Sequence, residues 1–392
     1  MSKPAQSHKL LAIPGPVEVT KEVLHAIAQP PLSHVSPEFV AVFRDCIQMT
    51  RKVVDTQDGQ PFIIAGSGTL GWDQVAANLV EPGEEVLVLK TGYFGDGFAD
   101  CLRTYGANVE ELKAGRGSIV ELHRIEAALR SKKFKAITIT HVDTSTGVLS
   151  DVKEIASTVR RISPDTLVVV DGVCSVASEE IRMDPWGLDV VLTASQKGLG
   201  APPGLSILIA SQRAIKVFQT RRTPVTSYFA SWKKWLPIMT AYGNNTPAYF
   251  GTPPVNLILA YHASLKQITG TAPSLDERYR LHKQVSQRIK ALANQLGLAQ
   301  VSQDPEHAAN GMTAVYLPDG VVASDVLPRM AAKGVTVAAG LGDIKDKYIR
   351  IGHMGTSVVD AKRGDIDTIA ESLQASLKEA RAAKKDIVEE TP

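Results

Sequence analysis

The chain has little from which a cross-link could be built. Its 392 residues include three cysteines, Cys46, Cys101 and Cys174, an odd number set far apart. That excludes a disulfide framework and points to a reducing compartment. No metal-ligand spacing appears among them, so no metal is expected. Charge of one sign is missing too. The 43 basic residues are matched by 41 acidic ones with no long single-sign run, so nothing calls for nucleic acid or an anionic membrane as partner. Apolar runs stop at about six residues, far short of the roughly 20 that a membrane-spanning helix needs. The segment Met1 to Lys9 has neither the apolar core of a signal peptide nor the arginines of a mitochondrial presequence, and Glu389-Glu390-Thr391-Pro392 is not a peroxisomal address. A cytoplasmic location is expected, with a mitochondrial one as the alternative. What is present, 44% hydrophobic and 21% charged residues, describes a soluble globular protein whose default partners are small molecules.

Single cores stop growing at roughly 250–300 residues, so two domains are expected. Strands and helices alternate through the first part of the chain. Apolar strand patterns occur at 61–65, 85–89, 108–112, 136–141, 166–171, 189–192 and 205–209, with helical patterns at 70–79, 119–129 and 152–162. This alternation predicts an α/β fold with a mainly parallel sheet covered on both faces. From Arg221 to Pro254 the pattern turns irregular and aromatic, as in a segment that covers a site or forms a subunit contact. A helix over 255–268 leaves the first domain, and helices over 275–296, 324–333 and 366–383, with strands at 312–317, 335–337 and 348–352, describe a smaller α+β domain. The expected boundaries are an N-terminal arm over 1–20, a large domain over 21–270 and a small domain over 271–392. Two prolines around Gly15 make the arm stiff, and it reads as ordered chain rather than strand.

One lysine organises the chemistry. Lys197 follows the apolar run Val190-Val191-Leu192, is the only lysine between Lys153 and Lys216, and precedes Gly198-Leu199-Gly200-Ala201-Pro202-Pro203-Gly204. An amine held at the end of a buried strand is desolvated, which favours the neutral nucleophile a Schiff base requires. Asp171 ends the run Leu167-Val168-Val169-Val170, where open parallel sheets bind ligands. A carboxylate beside such a lysine suits pyridoxal 5'-phosphate, whose pyridine nitrogen must stay protonated for the ring to accept electrons. Gly66-Ser67-Gly68-Thr69, between a strand and a helix, can receive a phosphate on free backbone N–H groups, although such turns are also common packing devices. Phe94 could stack on a planar ring or be core, and Ser145 sits in a hydroxyl-rich loop that could face the ring or only cap a turn. Arg350 lies in an otherwise apolar strand, where its planar fork suits either a substrate carboxylate or a structural salt bridge.

Taken together, Ala65-Gly66-Ser67-Gly68-Thr69, the run His141 to Val148, Val170-Asp171, Ser195-Gln196-Lys197, Ala201-Pro202-Pro203-Gly204 and Ile349-Arg350-Ile351-Gly352 resemble the alanine–glyoxylate aminotransferases of the class V aminotransferase family, most closely the fungal members. The resemblance runs from Ile13 to about Gly355. It implies a fold-type I pyridoxal phosphate transferase with a seven-stranded sheet, working as a homodimer. It further implies Lys197 as the Schiff-base residue, Asp171 at the pyridine nitrogen, and Ser67, Gly68, Thr69 and Gln196 at the phosphate. Ser145 would lie near the ring hydroxyl and Phe94 on the ring face. Arg350 would hold the substrate carboxylate, with Pro14 and Gly15 lining the pocket, and Tyr249 and Thr252 would reach the phosphate of the other subunit. The implied reaction moves the amino group of L-alanine to glyoxylate. Animal members carry histidine near Thr69 and tryptophan at Phe94, so this chain departs from them at two positions that bear on donor preference. The alternatives are transfer from serine to pyruvate or glyoxylate, a cysteine desulfurase-like lyase using Cys174, and a catalytically silent cofactor-binding protein. The last would be expected to lack Lys197 or Arg350.

Overall fold

A computed structural model describes residues 8–270 and 272–389, with side chains to Lys384. The chain ends discussed above, residues 1–7 and 390–392, lie outside the described residues. Seven strands form one sheet in the order Gln60–Ala65, Leu205–Ala210, Val190–Ala194, Leu167–Asp171, Ala136–Thr140, Glu85–Lys90, Asn108–Lys113. Only Leu205–Ala210 runs antiparallel to its neighbours. The central strands are buried along their whole length, which is why they read as continuous Val, Leu and Ile rather than as alternation. Helices on both faces close a core around Phe62, Val88, Ile139, Val169 and Leu208.

A second core gathers Ile289, Val315, Ile349 and Leu373 from the C-terminal part. There Tyr348–Gly352 is the middle strand between Met312–Tyr316 and Ala338–Ala339, packed against helices Leu275–Gln295, Ala323–Ala332 and Asp365–Glu389. No helix among the described residues is long and apolar enough to cross a membrane.

Several local expectations need correction. The arm does contain strand: Leu10–Leu11 pairs in parallel with Val335–Thr336, using the N–H groups of Leu10 and Ala12, which precede Pro14. The pattern at 335–337 therefore serves the arm and not the three-stranded sheet. A helix, Tyr93–Thr104, carries Phe94, where the sequence pattern predicted no helix. Its first N–H groups are received by the distant Asp143, from Phe94 at 3.2 Å and Gly95 at 3.4 Å, a cap that local sequence cannot reveal. The helix expected from Ile119 begins at Leu122, because Glu121 is its extended N-cap residue. Within the irregular stretch, Trp232–Gly243 is helical in spite of Pro237. Its first N–H is capped by Asn78 Oδ1 at 2.7 Å, again from another element. The short helix Gln212–Gln219 also went unread.

Candidate active site

The strands Gln60–Ala65, Leu167–Asp171 and Val190–Ala194 all end on the same edge of the sheet, since Ala65 lies opposite Leu205, Ala194 opposite Ser206 and Asp171 opposite Leu192. Three loops therefore meet there. The first is Gly66-Ser67-Gly68, which enters the helix Thr69–Leu79 without a side-chain cap. The N–H groups of Ser67, Gly68 and Thr69 make no hydrogen bond to the described residues, so the helix start presents unspent donors and the positive end of its dipole to an anion. A Cβ on Gly68 would lie 2.6 Å from Val173, so glycine is what lets this turn approach the loop after Asp171.

Asp171 is buried in that second loop. Its Oδ2 accepts the indole N–H of Trp72 at 2.7 Å and its Oδ1 accepts the N–H of Val173 at 3.0 Å. Burial pushes the carboxyl up to about 6, against the pull of the Val173 and Trp72 hydrogen bonds. Trp72 stands one turn into the helix that starts at Thr69, stacks on Phe98 at 5.4 Å and meets the edge of Phe94 at 6.5 Å. One helix thus offers anion donors at its tip and orients the carboxylate from its side. Trp72→Phe removes a donor that favours the charged form, so the Asp171 titration in the cofactor-free protein is expected to move upward from about 6. The infrared carbonyl band of the protonated acid reports it, and an unmoved titration would show that Trp72 only fills space.

The third loop carries Lys197, whose amine donates to the carbonyl of Pro14. Burial pushes the ammonium down, Cys174 and Asp171 oppose that shift, and Arg350 adds to it. Gly15 has φ +96°, and a Cβ there would come within 2.3 Å of Lys197 Cδ, so only glycine lets the arm lie on the lysine. The arm is pinned on both sides, by Val17 N–H to Gln196 O at 3.2 Å and by Gly352 N–H to Ala12 O at 2.7 Å. It thereby ties the lysine loop to the strand of Arg350.

Arg350 donates from Nε to Ala339 O at 2.8 Å and from Nη1 to Thr144 O at 3.2 Å. Among the described residues no carboxylate lies within 4.0 Å of it, so the salt-bridge alternative finds no partner. Burial lowers the pKa of this guanidinium. Beside it, Asp143 accepts Ser145 Oγ–H at 2.5 Å, and Ser145 Oγ in turn accepts Tyr93 N–H at 3.0 Å. A Cβ on Gly92 would meet both Ser145 Oγ and Asp143, so the start of the helix at Tyr93 is locked onto this loop. Tyr348 donates to Ser145 O at 2.8 Å and walls a cleft of about 600 Å³ that opens past Thr91, Tyr93 and Ser145.

The residues singled out from sequence divide into two groups. Pro14, Gly15, Asp171, Gln196, Lys197 and Arg350 are linked by these contacts. The turn Ser67, Gly68 and Thr69 joins them through Trp72, and Phe94 and Ser145 through Asp143. Tyr249 and Thr252 are elsewhere: both are exposed, Tyr249 packs on His34 at 5.2 Å, and neither bonds to the lysine cluster among the described residues. Sequence reasoning missed Trp72, Asp143 and Tyr348. For Trp72 there was a usable signal, its place three residues after Thr69 on the same helix face. Cys174 is buried and its thiol pKa is raised by burial, which disfavours the thiolate a desulfurase nucleophile needs. No cluster of three metal-ligating side chains exists among the described residues.

Residues 18–344 match the family described as aminotransferase class-V. Alanine–glyoxylate aminotransferase 1 of Saccharomyces cerevisiae is 44% identical over 359 residues, 88% of this chain and 92% of that protein. A serine–glyoxylate aminotransferase of Arabidopsis thaliana is 28% identical, covering 91% of this chain and 87% of its own. A solved alanine–glyoxylate aminotransferase from Nostoc sp. shares the architecture with a TM-score of 0.88 at 29% identity, over 96% of this chain and 97% of that one.

Proposed function

The chain belongs to the class V aminotransferases, a fold-type I family that works with pyridoxal phosphate, and from that premise we propose that it transfers the amino group of L-alanine to glyoxylate, giving pyruvate and glycine. The observation that carries this reading is the meeting of Lys197 and Asp171, at one edge of the seven-stranded sheet, with an arginine from the three-stranded sheet that has no carboxylate partner among the described residues. The residues present fit the cofactor. Unspent N–H groups at Ser67, Gly68 and Thr69 would take its phosphate, with the side-chain amide N–H of Gln196 as a further donor. Asp171 would hold a proton at the ring nitrogen, Phe94 would face the ring, and Ser145 would lie toward the ring hydroxyl.

When bound, the cofactor supplies an aldehyde that takes up amino groups and a ring that accepts the electron pair left by proton removal. The protein supplies positioning and proton transfer. Arg350 holds the substrate carboxylate by its remaining donors, Pro14 and Gly15 close the space over the lysine, and the neutral Lys197 amine takes the α-proton and returns it one position along. The same groups serve both half-reactions, because alanine and glyoxylate share only their carboxylate end. The direct check is the violet absorbance of the holoenzyme with each amino acid alone. Bleaching with release of pyruvate on adding alanine is expected. Bleaching by serine but not alanine would replace this reading by serine–glyoxylate transfer, the activity named for the Arabidopsis relative.

The exposed Tyr249 and Thr252 fit a homodimer in which each subunit completes the phosphate site of the other. Under that arrangement, Lys197→Ala and a Tyr249→Phe, Thr252→Ala double variant are both inactive alone. Mixed with subunit exchange, they form hybrids holding one site of intact parts, so about a quarter of wild-type activity should return. No recovery, with exchange shown by mass spectrometry, would mean the site is built from one chain.

A further inference from the structure

Arg278 stands near the start of the helix Leu275–Gln295 and is 5% exposed. Its Nε donates to Ala177 O at 3.0 Å and its Nη2 to Gly198 O at 3.1 Å, both neutral acceptors. Among the described residues it has no carboxylate within 4.0 Å, and Nη1 has no hydrogen-bond partner. A buried guanidinium whose charge is met only by carbonyl dipoles is an uncompensated cost in the fold. Burial lowers this group only to about 10, so the charge persists at neutral pH.

Beside the guanidinium lies a cavity of about 260 Å³, bounded by Thr20, Gly200, Ser264 and Thr356. Thr356 is largely buried on the cavity wall, and its hydroxyl makes no hydrogen bond to the described residues. Among the described residues Arg278 is the only cation on the cavity wall, and Asp360, exposed at its rim, is not within ion-pair distance. We propose that this cavity binds a small monovalent anion, a halide or a short carboxylate, on Nη1 of Arg278 with the Thr356 hydroxyl as second donor. A single lining cation matches one negative charge, which disfavours a phosphate dianion.

The site lies behind the catalytic loop. The guanidinium that faces the cavity also holds the carbonyl of Gly198, the residue after Lys197, and Gly198 is packed so closely that a Cβ would fall 2.4 Å from Val176 O. An anion on Arg278 therefore neutralises the charge at the back of the lysine loop and adds to folded-state stability by mass action. This inference does not depend on the reaction assigned above.

Crystals of the unaltered protein soaked in bromide test it directly. An anomalous peak within hydrogen-bonding distance of Arg278 Nη1 is expected, and a cavity without one overturns the proposal. In solution, chlorine NMR line broadening should be displaced by acetate and not by equal phosphate. Arg278→Met should weaken chloride binding by about tenfold or more, the effect of losing a charge-assisted hydrogen bond, and Thr356→Val by less. Broadening that survives in Arg278→Met, or equal displacement by phosphate, would also overturn it. Should Arg278→Met fail to fold, the bromide experiment decides alone.

Discussion

Lys197→Ala is expected to give a folded protein whose turnover is lower by about three to five orders of magnitude. The amine has two duties in the proposed reaction, covalent anchor and proton carrier, and no other described group can assume either. Pro14 and Gly15 occupy the space over it, Asp171 is already engaged by Trp72 and Val173, and Arg350 stays protonated. Stability should hold or rise, since truncation removes a buried amine whose burial disfavours its charge. Lys197→Arg should be equally inactive, because a guanidinium cannot become neutral at working pH. Added methylamine should restore part of the rate to the alanine variant and none to the arginine variant, whose side chain still fills the site. A Lys197→Ala protein that turned over near the wild-type rate would remove the lysine from the chemistry altogether.

Much of this site was legible because its parts sit at the ends of buried strands. A fully apolar run that stops at a charged residue, as at Asp171, or that passes through a few small polar residues to one, as from Leu192 to Lys197, marks both a central parallel strand and its ligand-facing end. Gly66 and Gly68 were legible as a turn and Gly15 as part of a stiff arm, although the reason for glycine at Gly68 and Gly15 is not local. Gly68 makes room for Val173, and Gly15 for Lys197, across 105 and 182 residues of chain. What escaped reading was stabilised from a distance. The helix at Tyr93 has its cap on Asp143, the helix at Trp232 has its cap on Asn78, and the strand Leu10–Leu11 finds its partner at Val335–Thr336. Propensity describes a residue's neighbours in sequence, whereas these elements exist because of neighbours in space. Trp72 illustrates the same limit. An indole in a helix reads as core, and only the contact with Asp171 shows that its N–H has a polar task.

Arg350→Lys is the second large effect expected, a loss of about 2–4 kcal/mol in kcat/KM for alanine and glyoxylate alike. A guanidinium has five N–H donors, and here Nε and Nη1 each spend one on the carbonyls of Ala339 and Thr144. Those two bonds aim the fork, and the donors left on Nη1 and Nη2 form the edge that meets a carboxylate bidentately. Lysine keeps the charge, but its ammonium must divide three donors between the same carbonyls and the substrate, and it cannot present two parallel bonds. Because glyoxylate has no side chain, its carboxylate supplies nearly all of its orientation, so the loss falls on both binding and turnover. The cofactor should remain bound, since the turn Ser67-Gly68-Thr69 and Asp171 are untouched, and the violet absorbance measures that separately. Persistent absorbance with equal losses for the two substrates supports a shared carboxylate site. Loss of cofactor, with the residual holoenzyme handling both substrates normally, would make Arg350 a brace between Ala339 and the Thr144 loop and send the search for the carboxylate site elsewhere.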